Sequence, residues 1–235
     1  MDSPPGQYAL AWEQNQIDDM VANVFGYHAI QLGLSKINFL RTSRISHKGV
    51  IALPGEGRTG AHQVLVADPR ALPLESQSVD LLVLPHLLEC SSHPHHVLRE
   101  VERVLMPEGR VVISGFNPWS LWGLRERIPG LDPLLPWPAH MQVSLLRLKD
   151  WLELLSFELE NSQFGGYVPL CESEQWLRRW SFMDRAGPRW WRVMGALYVM
   201  VAVKRVRGMR LVGPAWRRPA KQKANSGAVV RAEIK

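Results

Sequence analysis

The stretch from Val64 to Gly115, VLVADPRALPLESQSVDLLVLPHLLECSSHPHHVLREVERVLMPEGRVVISG, decides the fold. Its apolar runs at 63–67, 79–84 and 110–113 are short, rich in Val and Leu, and bounded by turn residues. That is the pattern of parallel strands covered on both faces. Between the second and third runs, Pro94 suits a first helical position, and Val97, Val101, Val104 and Leu105 recur at helical spacing. One stripe of that helix therefore faces a sheet. The Pro107-Glu108-Gly109 turn ends the helix and starts the next strand. Strand, helix and strand in this order make a right-handed crossover unit of an α/β sheet.

Working outward, residues 8–25 carry Ile17, Met20, Val21 and Val24 at helical spacing and read as an amphipathic helix. His28–Leu32, closed by Gly33, suits the first strand, and 49–53 a second. Residues 37–45 read as either a short helix or an irregular connection. Gly55, Gly57 and Gly60 form a formal GxGxxG, but the next strand follows too soon for the helix that a dinucleotide fingerprint requires. An exposed loop between strands is the reading, and a nicotinamide oxidoreductase loses its main support. Downstream, Ser120 or Asn117 can cap a helix carrying Leu121, Leu124 and Ile128. Four prolines within 129–140 form a rigid connection or lid, a helix returns over 148–155, and strands are expected at 157–164 and 196–203. The segment of about 170–194 is a Trp-rich helical insertion, with Trp176 and Trp180 one helical turn apart and Trp190-Trp191 after a Gly187-Pro188 break. It either caps the site or presents one core-facing stripe.

At 235 residues the chain suits one α/β domain, expected over 1–207. The formal charge of +6 is unevenly placed: ten Lys or Arg against one Glu from Lys204 onward give +9, leaving −3 elsewhere. Residues 208–235 thus form a basic tail, expected to be disordered, that can touch nucleic acid or anionic lipid or simply aid solubility. The longest apolar run near the end, 196–203, falls short of the ~20 residues of a membrane span. The start, MDSPPGQ, lacks an apolar core segment, so a secretory signal is not expected and the cytoplasm is. Cys90 and Cys171 read as two buried free thiols. His86, His93, His95 and His96 lack the spacing of a metal site, and no metal is expected.

Residues 68–118 carry a resemblance. Asp68, then Ala71-Leu72-Pro73-Leu74, then Ser78-Val79-Asp80, and the helix and turn over Leu98–Arg110, with Glu108 in place of a first Gly, resemble the C-terminal half of the class I methyltransferase domain that binds S-adenosylmethionine. The resemblance implies a Rossmann-like α/β fold with a seven-stranded, mostly parallel sheet in the order 3-2-1-4-5-7-6 and a C-terminal antiparallel hairpin. It implies S-adenosylmethionine as cofactor and methyl transfer by in-line displacement to an acceptor, small or macromolecular, that the sequence does not identify. Cofactor contacts are implied at Gly33, Asp68, Ala71, Leu72, Pro85 and His86. Gly33 would let the backbone approach the carboxypropyl arm; the Asp68 carboxylate would accept from the adenine amine while Leu72 packs on the ring. The alternative for Asp68 is a carboxylate that only caps its own turn.

His86, after the fourth strand, is a candidate general base, with a hydrogen-bonded loop histidine as the alternative. Phe116, Asn117 and Trp119 are candidates for the acceptor pocket, against an aromatic pair simply packed on neighbouring loops. The chain departs from the family in offering a single glycine in the first loop and Leu53-Pro54, with Glu56 the nearest carboxylate, where a ribose-binding acid is usual. An alternative function is therefore a catalytically inactive, methyltransferase-like binding module, associated with nucleic acid through its tail.

Overall fold

In a computed structural model the described residues are 4–56, 64–128, 141–169, 179–180 and 182–206. In chain order they form α1 (Pro4–Val21), β1 (His28–Leu32), β2 (His47–Ala52), β3 (Val64–Val66), β4 (Val79–Pro85), α2 (Leu87–Cys90), α3 (Pro94–Val104), β5 (Leu105–Phe116), α4 (Leu121–Arg125), α5 (Leu145–Leu154), β6 (Phe157–Gly165), α6 (Phe182–Trp190), a 3-10 turn (Arg192–Met194) and β7 (Leu197–Lys204). The seven strands lie in the order β3-β2-β1-β4-β5-β7-β6. Strands β1 to β5 pair in parallel, and β7 runs antiparallel between β5 and β6. The carboxyl ends of β1 to β6 and the amino end of β7 therefore share one edge.

The continuous apolar runs follow from burial on both faces. Leu82, Leu84, Val111, Ile113 and Met200 pack with Val97, Val101 and Val104 of α3 and Leu148 and Leu152 of α5. Their strand neighbours Leu81, Val83, Val112, Val199 and Val201 point the other way, onto Ile17 and Val21 of α1. Each such fully buried side chain stabilises the fold by about 1.5–3 kcal/mol, so neither face can be left uncovered.

The motif residues fasten this sheet. Asp80, at the start of β4, accepts from the backbone N–H groups of Tyr27 at 2.7 Å and His28 at 2.9 Å, which ties β4 to the start of β1. A Cβ on Gly26 would lie 2.4 Å from the Asp80 side chain, so only glycine fits there. On α3, Arg103 donates to the carbonyls of Leu72 (3.1 Å) and Leu74 (3.0 Å), and Glu100 accepts from Leu72 N–H at 2.8 Å. The connection after β3 is thereby held to the helix. Glu108 adopts the left-handed conformation at φ 64°, and its carboxylate pairs with Arg205 beyond β7.

Several boundaries differ from the sequence reading. Helix α1 runs over Pro4–Val21, not 8–25; proline is tolerated in a first turn, and the chain leaves the helix well before Gly26. Residues 37–45 form no helix or strand. Ile128 lies outside α4, which ends at Arg125 and is capped by Ser120 accepting from Gly123 N–H. Gly187 and Pro188 lie within α6 and do not break it. Trp190 and Trp191 are exposed, so they are not part of a core-facing stripe. Cys90 is likewise exposed, at the end of a helix too short to enclose it. The loop glycines 57 and 60, the proline-rich 129–140, Cys171, Trp176 and the basic tail lie outside the described residues.

Candidate active site at the carboxyl edge of the sheet

Gln31 is a polar residue in an apolar strand and is fully buried. Its amide nitrogen donates to the carbonyls of Gly33 (3.0 Å), Leu34 (3.2 Å) and Ile37 (2.8 Å), and its oxygen accepts from Phe39 N–H at 2.9 Å. One side chain thus shapes the whole turn after β1. Within that turn Gly33 has φ 81° and Leu34 φ 44°, both left-handed. The nearest atoms to a Cβ built on Gly33 are side chains of Glu56, Leu87 and Leu53 at 3.7–3.8 Å, so no backbone crowds the turn. Glycine is required here by its φ rather than by want of space. The next two amides, Leu34 N–H and Ser35 N–H, point at the Glu56 carboxylate, at 3.1 and 3.4 Å. The turn is therefore a carboxylate-binding element.

Asp68 stands beyond the end of β3 with its side chain 41% exposed. Arg70 donates to it from its side chain, at 2.7 Å from Nη2, and from its backbone N–H at 2.9 Å. These bonds hold the carboxyl down at about 2, so it is ionised at every physiological pH. The turn-capping role is thus realised, and the exposed carboxylate also faces solvent at the ligand edge. Ala71 and Leu72 are placed otherwise than the resemblance implies. Ala71 N–H donates to Asp68 O, Leu72 N–H is taken by Glu100, and the Leu72 side chain is packed in the core, where it offers no face to an adenine ring.

At the ends of β4 and β5 lies a buried ionic cluster. His86, left-handed at φ 50° and fully buried, bonds Glu89 through Nδ1 at 2.7 Å and Glu13 of α1 through Nε2 at 3.2 Å. Ser114 of β5 donates its hydroxyl to Glu13, and Phe116 N–H donates to Glu89 at 2.6 Å. Burial by itself lowers the His86 pKa, but the two carboxylates outweigh it and push it up to about 10. Burial raises Glu89 against the pull of the imidazolium. His86 is therefore a cation with both nitrogens engaged, not the free base of the sequence reading. Pro85 is buried beside it as the last residue of β4.

Of the three acceptor-pocket candidates, Phe116 is buried against the His86 ring at 4.7 Å between centroids. Asn117 is also buried, its amide donating to the carbonyls of Val193 (2.9 Å) and Gly195 (3.0 Å). Only Trp119 is open to solvent, with the Arg127 guanidinium 5.3 Å from its ring centre. The sheet thus brings Gly33, Asp68, Pro85 and His86 to one edge, while Phe116 and Asn117 support it from beneath. Sequence reasoning missed Gln31, Glu13 and Glu89; a glutamine within HAIQL was a legible signal, whereas nothing local marks a glutamate 73 residues from its histidine. It also missed Gln142, whose buried amide oxygen and nitrogen have no hydrogen-bond partner among the described residues.

The edge thus brings together a left-handed turn with two amides aimed at the Glu56 carboxylate and an ionised carboxylate beyond the end of β3. Among the described residues no group of three or more His, Cys, Asp or Glu could hold a metal ion, and no helix is long and apolar enough to cross a membrane.

The family model described as a methyltransferase domain matches residues 44–113. Uncharacterized protein YafS of Escherichia coli (strain K12) is 36% identical over 159 residues, 67% of this chain and 64% of the relative. The demethylmenaquinone methyltransferase of Chlamydia pneumoniae is 37% identical over 59 residues, 25% of this chain and 26% of that enzyme. The matched stretches thus span less than two thirds of the lengths of these relatives. A crystal structure of a SAM-dependent methyltransferase from Archaeoglobus fulgidus has the same fold, with a TM-score of 0.57 and 16% identity over 83% of this chain and 94% of that one.

Proposed function

We propose that this chain, whose residues 44–113 match a methyltransferase domain, is a class I S-adenosylmethionine-dependent methyltransferase that transfers a methyl group from that cofactor to an acceptor by in-line displacement. The observation that carries the reading is the turn after β1, whose Leu34 and Ser35 amides hold a carboxylate beside Gly33 at φ 81°. S-adenosylmethionine, when bound, supplies an already activated methyl group on a sulfonium. The protein must then position the acceptor and exclude water.

Each residue has a derived part. Leu34 N–H and Ser35 N–H would hold the cofactor's carboxylate once the Glu56 side chain yields them. Asp68, ionised and partly exposed, would accept from the adenine amine while still bonded to Arg70. The His86–Glu13–Glu89 cluster fixes the floor where β4 and β5 end. His86 keeps its proton at neutral pH because its pKa lies near 10, so it takes none from an acceptor. This favours an acceptor atom that is nucleophilic without a protein base at that position. The chain is expected to act in the cytoplasm.

A second reading, a binding module that transfers nothing, is favoured by the Glu56 carboxylate that sits on the loop amides. Thermal unfolding separates the two. With S-adenosylhomocysteine at a hundred times its dissociation constant, linkage adds about 2.7 kcal/mol. For a chain of this size that raises Tm by about 5–11 °C. An unmoved Tm at millimolar ligand supports the module that binds no cofactor and removes the enzyme reading.

A further inference from the structure

The β5-β7-β6 half of the same sheet edge carries a cavity. It is lined by Leu121 of α4, Tyr167 just beyond β6, Met183 of α6, Trp191 and Met194, and has a volume of about 240 Å³. Its walls are fixed by specific contacts rather than by loose loops. Trp122 donates its indole N–H to Val168 O at 2.6 Å, which pins α4 to the segment after β6. Asn117 holds the 3-10 turn through Val193 O and Gly195 O. The Tyr167 ring lies against α6 so closely that a Cβ on Gly187 would come within 2.2 Å of it.

Two features give the ligand class. The lining is aliphatic, aromatic and thioether, so it favours an apolar occupant, and methionine adapts to irregular shapes. The volume lies below the roughly 300–1,000 Å³ of pockets that take whole ligands, so it suits one part of a larger molecule. Close in sequence to these lining residues, Trp119, Leu124, Trp190 and Val193 are 68%, 60%, 74% and 66% exposed. Tryptophan favours boundaries between apolar and aqueous phases.

We propose that this cavity takes an apolar chain segment or ring of the methyl acceptor, leaving the reacting group at the neighbouring ends of β4 and β5. The assignment rests on the methyl-transfer reading for the word acceptor, but the cavity's affinity for apolar groups stands apart from it. The apolar group reaches the cavity either from a lipid surface or free in solution.

The test uses the full chain and the neutral fluorescent probe 1-N-phenylnaphthylamine. Saturable binding in the micromolar range is expected, with displacement by n-decanol at far lower concentration than by n-butanol. Met194→Arg and Leu121→Arg place a charge at the partly exposed mouth. Each is expected to weaken probe binding at least tenfold while far-UV circular dichroism and S-adenosylhomocysteine affinity stay unchanged. Sedimentation with phosphatidylglycerol vesicles identifies the source: pelleting that Met194→Arg abolishes assigns a lipid surface, and probe binding without pelleting assigns a free acceptor. No saturable probe signal from folded protein, or probe affinity in both arginine variants unchanged from that of the unsubstituted chain, overturns the cavity. Probe binding without any cofactor binding overturns the acceptor role alone.

Discussion

Replacing Glu13 by alanine removes one of the two carboxylates that hold the buried His86 imidazolium. In the folded protein the His86 pKa is pushed up to about 10 from its ordinary 6.5. At about 1.36 kcal/mol per pH unit, that difference corresponds to a contribution on the order of 4–5 kcal/mol. Part of it is offset because Glu89, raised by burial, is costly to keep ionised. The sign is that of a raised pKa: the stabilisation is full below about pH 6.5, declines as pH rises, and is gone above about pH 10. Breaking a buried pair by deleting one partner costs about 3–5 kcal/mol. Glu13→Ala is therefore expected to lose about 3–5 kcal/mol at pH 7, with the loss shrinking toward pH 10. Urea unfolding followed by far-UV circular dichroism between pH 6.5 and 10 measures this directly. A loss below about 1 kcal/mol at pH 7, unchanged across that range, would refute a charged cluster under the site.

Other outcomes follow from the same geometry. Gln31→Leu strands one buried and two half-buried carbonyls and the buried Phe39 N–H, so urea unfolding should show a loss of at least about 2–3 kcal/mol. Gly33→Ala forces a side chain into φ 81°, and calorimetry on the heat-unfolded protein should show about 1–2 kcal/mol of destabilisation. Gln142→Leu relieves an unpartnered buried amide and should raise stability by about 1 kcal/mol or more in the same urea assay, while weakening acceptor or cofactor binding if the amide serves a ligand. If the basic tail contacts nucleic acid, binding of a short duplex should fall steeply with salt and vanish on deletion of 208–235.

The strands and their crossover were legible because burial on both faces of the sheet leaves unbroken Val and Leu runs, and Pro94 and the Val97-Val101-Val104 stripe mark the helix between them. The motif residues Asp80, Glu100 and Arg103 were legible as a pattern, but their work is to fasten strands and the loop after β3. Gly33 and Asp68 fell at the expected edge, since a strand's end fixes where the next residues stand. What local sequence does not encode is contact at long separation. Glu13 meets His86 only because α1 folds across the sheet, and the apolar cavity draws on α4, the end of β6, α6 and the turn after it. Leu72 reads as a ring-stacking residue in its motif, yet its neighbours on α3 draw it into the core. Phe116 and Asn117 likewise follow a strand end but turn inward, toward His86 and the Val193–Gly195 backbone.

The central claim is that the carboxyl edge of β1–β3 binds S-adenosylmethionine. Calorimetric titration with S-adenosylhomocysteine, on the full chain and on Asp68→Ala, tests it most directly. Loss of a hydrogen bond to a charged group is worth about 1.5–3 kcal/mol, so the account predicts micromolar binding by the full chain and at least tenfold weaker binding by the variant. No heat of binding up to millimolar ligand from a folded full chain, or equal affinity in both proteins, would contradict it.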